Sequence, residues 1–146
     1  MKNLATIALG GGLGALARYG LSALAGSHPL PYAILLINVS GSFLIAVVMV
    51  LSVDYGWIPE RFRLFSAVGV LGGYTTFSTY MLGIYSLAEN RSFVAAFAYT
   101  IGTLCFGLAA CVVGVAATRR LARRIFWAPA RQQEEPDERT EEGTLP

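Results

Sequence analysis

Apolar residues fill four long stretches of the chain, Leu4 to Ala25, Tyr32 to Val53, Leu64 to Ala88 and Phe93 to Thr118, and polar residues gather in the short connections between them. Each stretch is long enough to cross a hydrocarbon core of about 30 Å as a helix of roughly 20 residues. The pattern predicts an all-α membrane protein with four transmembrane helices. After Thr118 the character changes. "RRLARR" at 119–124, followed by Phe126 and Trp127, reads as a basic end lying at headgroup level. From Pro129 the sequence is polar, acidic and Pro-bearing, the composition of a disordered tail. The chain thus divides into a membrane domain over 1–118 and a juxtamembrane end with its tail over 119–146.

Composition agrees with this division. Of 146 residues 55% are hydrophobic and 14% charged, too apolar and charge-poor for an ordinary water-soluble domain. All nine acidic residues fall in connections or tail, and among the eleven basic ones only Arg18 lies inside a predicted span. A net charge of +2 gives no reason to expect nucleic acid as a partner. With four spans, Lys2, Arg61, Arg63, Arg119, Arg120, Arg123 and Arg124 share one side and Arg91 faces the other. That bias predicts a multi-pass protein of the inner (plasma) membrane with both termini cytoplasmic. Lys2, the apolar run and "ALAG" at 23–26 loosely imitate a secretory signal. Arg18 and the glycines at 10, 11, 12, 14 and 20 interrupt that run, which favours a retained, packed helix. Cys105 and Cys111, six residues apart in the last span, read as inert core residues. With His28 alone in a Pro-flanked connection, neither a disulfide framework nor a side-chain metal cluster is expected.

Polar residues inside the spans carry the candidate chemistry. Gly10 and Gly14 form a small-xxx-small pair that lets another helix approach closely. Arg18 must snorkel, pair with carbonyls or face a wet cavity. Asn38 and Ser42 lie one turn apart on one face, as interhelical hydrogen-bonding groups or as the lining of a passage. Tyr99 and Thr103 repeat that spacing in the last span, with Gly107 continuing the stripe. The densest signal is "GGYTTFSTY" at 72–80, in the middle of the third span. Paired glycines weaken a helix, and Thr75, Thr76, Ser78 and Thr79 can satisfy backbone groups that a break would free. Carbonyls exposed at such a break are cation ligands. An unbroken helix packing its small, hydroxylated face on a partner accounts for the same residues.

"GGLGALARY" (11–19), "NVSGSF" (38–43) and "GGYTTFSTY" (72–80), in this order on successive spans, resemble the Fluc fluoride channels, also called the CrcB family. The resemblance covers about residues 4 to 118. It implies an antiparallel, dual-topology dimer with a broken third helix and two narrow pores that export fluoride passively and lower its cytoplasmic level. It also implies a structural Na+ held by main-chain carbonyls, which fall here at Gly72 and Thr75. The pore would be lined by Asn38, Ser42, Phe77, Tyr80, Tyr99 and Thr103, with Arg18 as a vestibule charge. Tyr80 stands where the family usually has phenylalanine, and Gly107 lacks a hydroxyl. An aromatic ring's positive edge can face a nearly desolvated anion. A charge bias of seven against one conflicts with insertion in both orientations. The dimer partner is therefore either a second copy or an oppositely oriented homologous subunit.

Other functions fit less well. A small four-helix drug or cation antiporter needs a membrane-embedded carboxylate to exchange protons, and no span contains one. A non-transporting assembly protein leaves the three ordered motifs without a purpose. No nucleophile–base pair, metal cluster or phosphate loop marks an enzyme, so no catalytic residue is expected.

Overall fold

The computed structural model describes residues 2–26, 31–90 and 92–127. The His28 connection, Arg91 and the acidic tail lie outside the described residues. The regular elements are α1 (Lys2–Ala25), α2 (Tyr32–Met49), α3 (Glu60–Arg63), α4 (Gly72–Tyr74), α5 (Ser78–Glu89) and α6 (Phe93–Trp127). Two wide-turned π segments complete them: π1 (Val50–Asp54) prolongs α2, and π2 (Leu64–Leu71) joins α3 to α4. Three stretches, Asn3–Ala25, Tyr32–Asp54 and Phe93–Ile125, are long and apolar enough to cross a membrane. The protein is an all-helical integral membrane protein. The stretch read as a third span, Leu64 to Ala88, is divided among π2, α4 and α5.

Local sequence explains where these elements stop. α1 ends at Gly26, whose φ of +69° suits a residue without a Cβ. The turn after π1 uses Gly56 at φ +66° and is closed by the Ser52 hydroxyl donating to the Ile58 carbonyl at 2.9 Å. Pro59, extended at φ −65° and ψ 152°, sits just before α3. There it has no N–H to leave unpaired. α6 runs 35 residues, about 52 Å at 1.5 Å per residue. The basic stretch Arg119 to Arg124 therefore rides on the last helix itself rather than following its end.

α1 packs on π2 and α4, while α2 and α5 pack on α6. The first of these contacts is made by glycines. A Cβ on Gly10 would lie 2.5 Å from the Phe65 carbonyl oxygen, and one on Gly14 would collide with the Val70 carbonyl. Gly69 and Gly73 answer from the other side, against Gly10 and the Gly11 carbonyl. Two small-residue pairs thus interlock backbone to backbone. In a bilayer this matters because helices associate through packing and hydrogen bonds, lipid being as apolar as leucine.

Ile34, Ile37, Tyr80, Leu87, Ala96 and Tyr99 form the core between α2, α5 and α6. Many other apolar side chains point outward, among them Leu24 at 85% and Val94 at 84% exposure, as expected where lipid replaces water. Cys105 is exposed and Cys111 only half-buried, which corrects the reading of both as core residues. Six residues turn a helix about 240° past the first thiol, so the two face different surroundings. At the far end, Arg119 Nη2 lies 2.7 Å from Asp54 Oδ2 and ties α6 to π1. With both partners partly exposed, such a pair contributes about 0–1 kcal/mol.

The glycine crossing sets one expectation. Gly14→Ala should destabilise the protein by about 1–3 kcal/mol through overpacking. Gly12→Ala, at a position with nothing within 4 Å of the added methyl, should be neutral or mildly stabilising. Thermal unfolding of the two variants in the same detergent checks the contrast.

Candidate functional site

The helical backbone stops at Tyr74 and resumes at Ser78, with Thr75 extended at φ −73° and ψ 154°. The Leu71 carbonyl accepts both the Thr75 N–H, at 3.0 Å, and the Thr75 hydroxyl, at 2.9 Å. That double bond closes the last turn before the interruption. Beyond it the usual helical donors go elsewhere. The Thr76 N–H, which an uninterrupted helix would give to the Gly72 carbonyl, is donated to Asn38 Oδ1 at 2.9 Å. Asn38 Nδ2 in turn donates to the Thr76 carbonyl at 3.0 Å, so one carboxamide grips both polar groups of a single residue. The Thr79 N–H, due to the Thr75 carbonyl, goes to Thr76 Oγ1 at 3.2 Å. Arg18 Nε donates to the Gly73 carbonyl at 3.2 Å, and its Nη1 donates to Thr79 Oγ1 at 3.3 Å.

A cleft of about 650 Å³ opens beside this segment. Seven of the residues singled out in the sequence line it: Asn38, Ser42, Gly72, Thr75, Phe77, Tyr80 and Thr103. Thr76, Gly107 and Cys111 line it too. Tyr99 stands behind that wall, its ring 5.5 Å from Tyr80 and tilted by 42°. The Phe77 and Tyr80 rings lie 5.9 Å apart at 48°. Phe77 is 72% exposed in the single chain, whereas Tyr80 is 4% exposed and donates its hydroxyl to the Thr100 carbonyl at 3.1 Å. Arg18 does not line the cleft; its guanidinium is engaged on the interrupted segment.

The hydroxyls differ in how they are used. Ser42 donates back to the Asn38 carbonyl at 2.8 Å, so its proton is committed within α2. Tyr99 and Thr103 bury their oxygens without a well-formed hydrogen bond, each having only a loose contact with the other, a state that is costly in a low-dielectric interior unless a ligand or water is met there. Residues 99, 103, 107 and 111 form one row at a spacing of four along α6, and Cys111 is the member the sequence reading missed. Thr76 and Thr79 were counted only as general hydroxyl donors. Their specific work, an amide grip and a link across the interruption, could not be read without the partners.

These contacts define what the site can hold. The Gly72 and Thr75 carbonyls are the ones whose helical donors have been drawn to side chains, and main-chain oxygens of this kind ligate hard monovalent cations. Among the described residues no group of three or more His, Cys, Asp or Glu converges, so the available ligands are peptide and hydroxyl oxygens. Oxygen ligands of this kind would suit a hard cation such as sodium. Toward an anion, the cleft offers the second Nδ2 hydrogen of Asn38 and aromatic ring edges, with the Thr103 oxygen buried in its wall.

Residues 5–115 match the family described as CrcB-like protein, Camphor Resistance (CrcB). A protein of Nocardia farcinica named fluoride-specific ion channel FluC 2 is 46% identical over 119 residues, 80% of this chain and 84% of its own length. One from Anaeromyxobacter dehalogenans, named fluoride-specific ion channel FluC, is 41% identical over 125 residues, 84% of this chain and 99% of its own. A third, from Thermus thermophilus and bearing the same name, is 41% identical over 111 residues, 74% of this chain and 88% of its own. Family match and relatives agree over the helices that build the cleft, and the chain belongs to the CrcB-like family.

Proposed function

We propose that this chain is one subunit of a fluoride-specific channel that lets the anion run down its gradient out of the cell, and that it is not an enzyme. The observation that carries the reading is the redirected backbone at 75–79. Peptide groups freed from helical pairing are held by Asn38 and Arg18 beside a cleft walled by Phe77, Tyr80 and the Thr103 hydroxyl. The names of the relatives support fluoride as the ion. Asn38 would offer an N–H to the desolvated anion, and the Phe77 and Tyr80 rings their positive edges. Contacts of this kind favour entry and still permit release. Sodium would be held by the Gly72 and Thr75 carbonyls of this chain, whose helical donors go to side chains, together with those of a second subunit.

The full assembly in this reading is an antiparallel dimer of four-span subunits whose third span is broken at its centre. The exposure of Phe77 in the single chain supports a second subunit over that face. The one-sided basic charge supports a subunit that inserts in a single direction, with both termini in the cytoplasm and an oppositely oriented homologue as partner. A proton-coupled drug antiporter is disfavoured because its exchange chemistry needs a carboxylate in the membrane.

Purified chain in proteoliposomes, loaded with fluoride or chloride and followed by ion-selective electrode, tests the function. Fluoride should leave rapidly and chloride should stay. Efflux from the chain alone would establish a homodimer; efflux only after co-expression with an oppositely oriented homologue would establish the mixed pair. Retention of both ions in both preparations would refute the channel. Asn38→Ala should slow fluoride efflux at least about tenfold, since leaving a buried peptide group unpaired costs ~1–3 kcal/mol. Tyr80→Phe should transport within about threefold of the parent, with ~0.5–1.5 kcal/mol lost in unfolding, the worth of one intramolecular hydrogen bond. Its hydroxyl is committed to Thr100.

A further inference from the structure

Arg18 is the basic residue that the apolar run of α1 contains, and no carboxylate in any predicted span balances it. Its guanidinium donates instead to one carbonyl and one hydroxyl on opposite sides of the interruption: Gly73 before it, at 3.2 Å, and Thr79 after it, at 3.3 Å. The glycine crossing explains how it gets there. Gly14, one turn earlier on α1, lies against Val70 and Tyr74 N, which brings α1 close enough for the arginine to reach past Gly73.

The carbonyls around the interruption are thereby sorted. Arg18 takes Gly73 and Asn38 takes Thr76. The N–H groups that would have covered Gly72 and Thr75 are drawn to Asn38 Oδ1 and Thr76 Oγ1. We propose that Arg18 is a positioning residue for the cation site. Its planar fork withdraws the Gly73 carbonyl and ties it to Thr79, so that the two half-helices keep the offset at which Gly72 and Thr75 face the ion. The inference rests on the sodium-bearing reading above. A vestibule attractant needs only a positive charge, which lysine supplies. A clamp needs two donors in fixed relation, which a flexible ammonium does not supply.

The test uses the full chain in detergent, together with its oppositely oriented homologue where efflux requires the pair. Thermal midpoints are read against sodium concentration, with N-methylglucamine holding ionic strength, for the parent, Arg18→Lys, Thr79→Val and the double variant. Amide hydrogen exchange is followed over 72–80. Arg18→Lys should raise the sodium needed for half-maximal stabilisation about 10- to 100-fold, the range found when a group orienting a metal ligand is lost, and should speed exchange over 72–80. Thr79→Val should shift both readouts the same way, and the double variant should go no further than Arg18→Lys, because the two residues act as one unit. If Arg18→Lys does not fold, Thr79→Val alone decides by the same readouts. An Arg18→Lys protein that matches the parent in both readouts overturns the proposal. So does a parent whose melting ignores sodium, even with fluoride efflux intact. A sodium response that weakens in both variants, in a chain that moves no fluoride, supports the clamp and refutes the channel instead.

Discussion

A peptide group inside hydrocarbon has no water to turn to, so every N–H and C=O taken out of a helix must find its partner in protein. The segment from Thr75 to Phe77 exists under that constraint. Both backbone groups of Thr76 are taken by a carboxamide from α2, while next to the segment a guanidinium from α1 takes the Gly73 carbonyl and the Thr76 hydroxyl takes the Thr79 N–H. Asn38 suits the task because a carboxamide carries the same donor and acceptor pair as a peptide, and it meets Thr76 as a neighbouring strand would. Without that match the Thr76 N–H and C=O would need other partners within the protein.

The glycine crossing and the hydrogen bonds depend on each other. Gly10, Gly14, Gly69 and Gly73 let α1 approach π2 and α4 backbone to backbone, and this distance puts Arg18 within reach of Gly73 and Thr79. Packing of this kind is stiff, because neither side has a rotamer to yield. α6 supplies the opposite wall, and its row at 99, 103, 107 and 111 passes from two buried hydroxyls to a bare glycine and then a thiol. Thr103, Gly107 and Cys111 of that row line the cleft, and Tyr99 backs it.

Some of this was legible in the sequence and some was not. Three of the spans and the spacing of the polar residues were, because hydropathy and a spacing of four are local properties. Asn38 and Ser42 were recognisable as a pair for that reason. What Asn38 binds was not, since Thr76 lies 38 residues away and a glycine- and threonine-rich run is equally at home in an unbroken helix. The last span was bounded at Thr118, where the apolar pattern stops, whereas α6 runs on to Trp127. Alanine, leucine and arginine are all strong helix formers, so the helix outlasts the hydrophobic run that marked it. Cys111 was overlooked by treating both thiols as core, although it is the next member of the row that Tyr99, Thr103 and Gly107 begin.

The two rings beside the cleft differ in freedom. Tyr80 is held at its tip by the Thr100 carbonyl and along its face by Tyr99, whereas Phe77 has no polar group by which to be tethered. Of the two rings, Tyr80 is therefore located by a polar anchor as well as by packing, and Phe77 takes its place in this chain by contact with Tyr80 alone among the aromatic rings of the described residues.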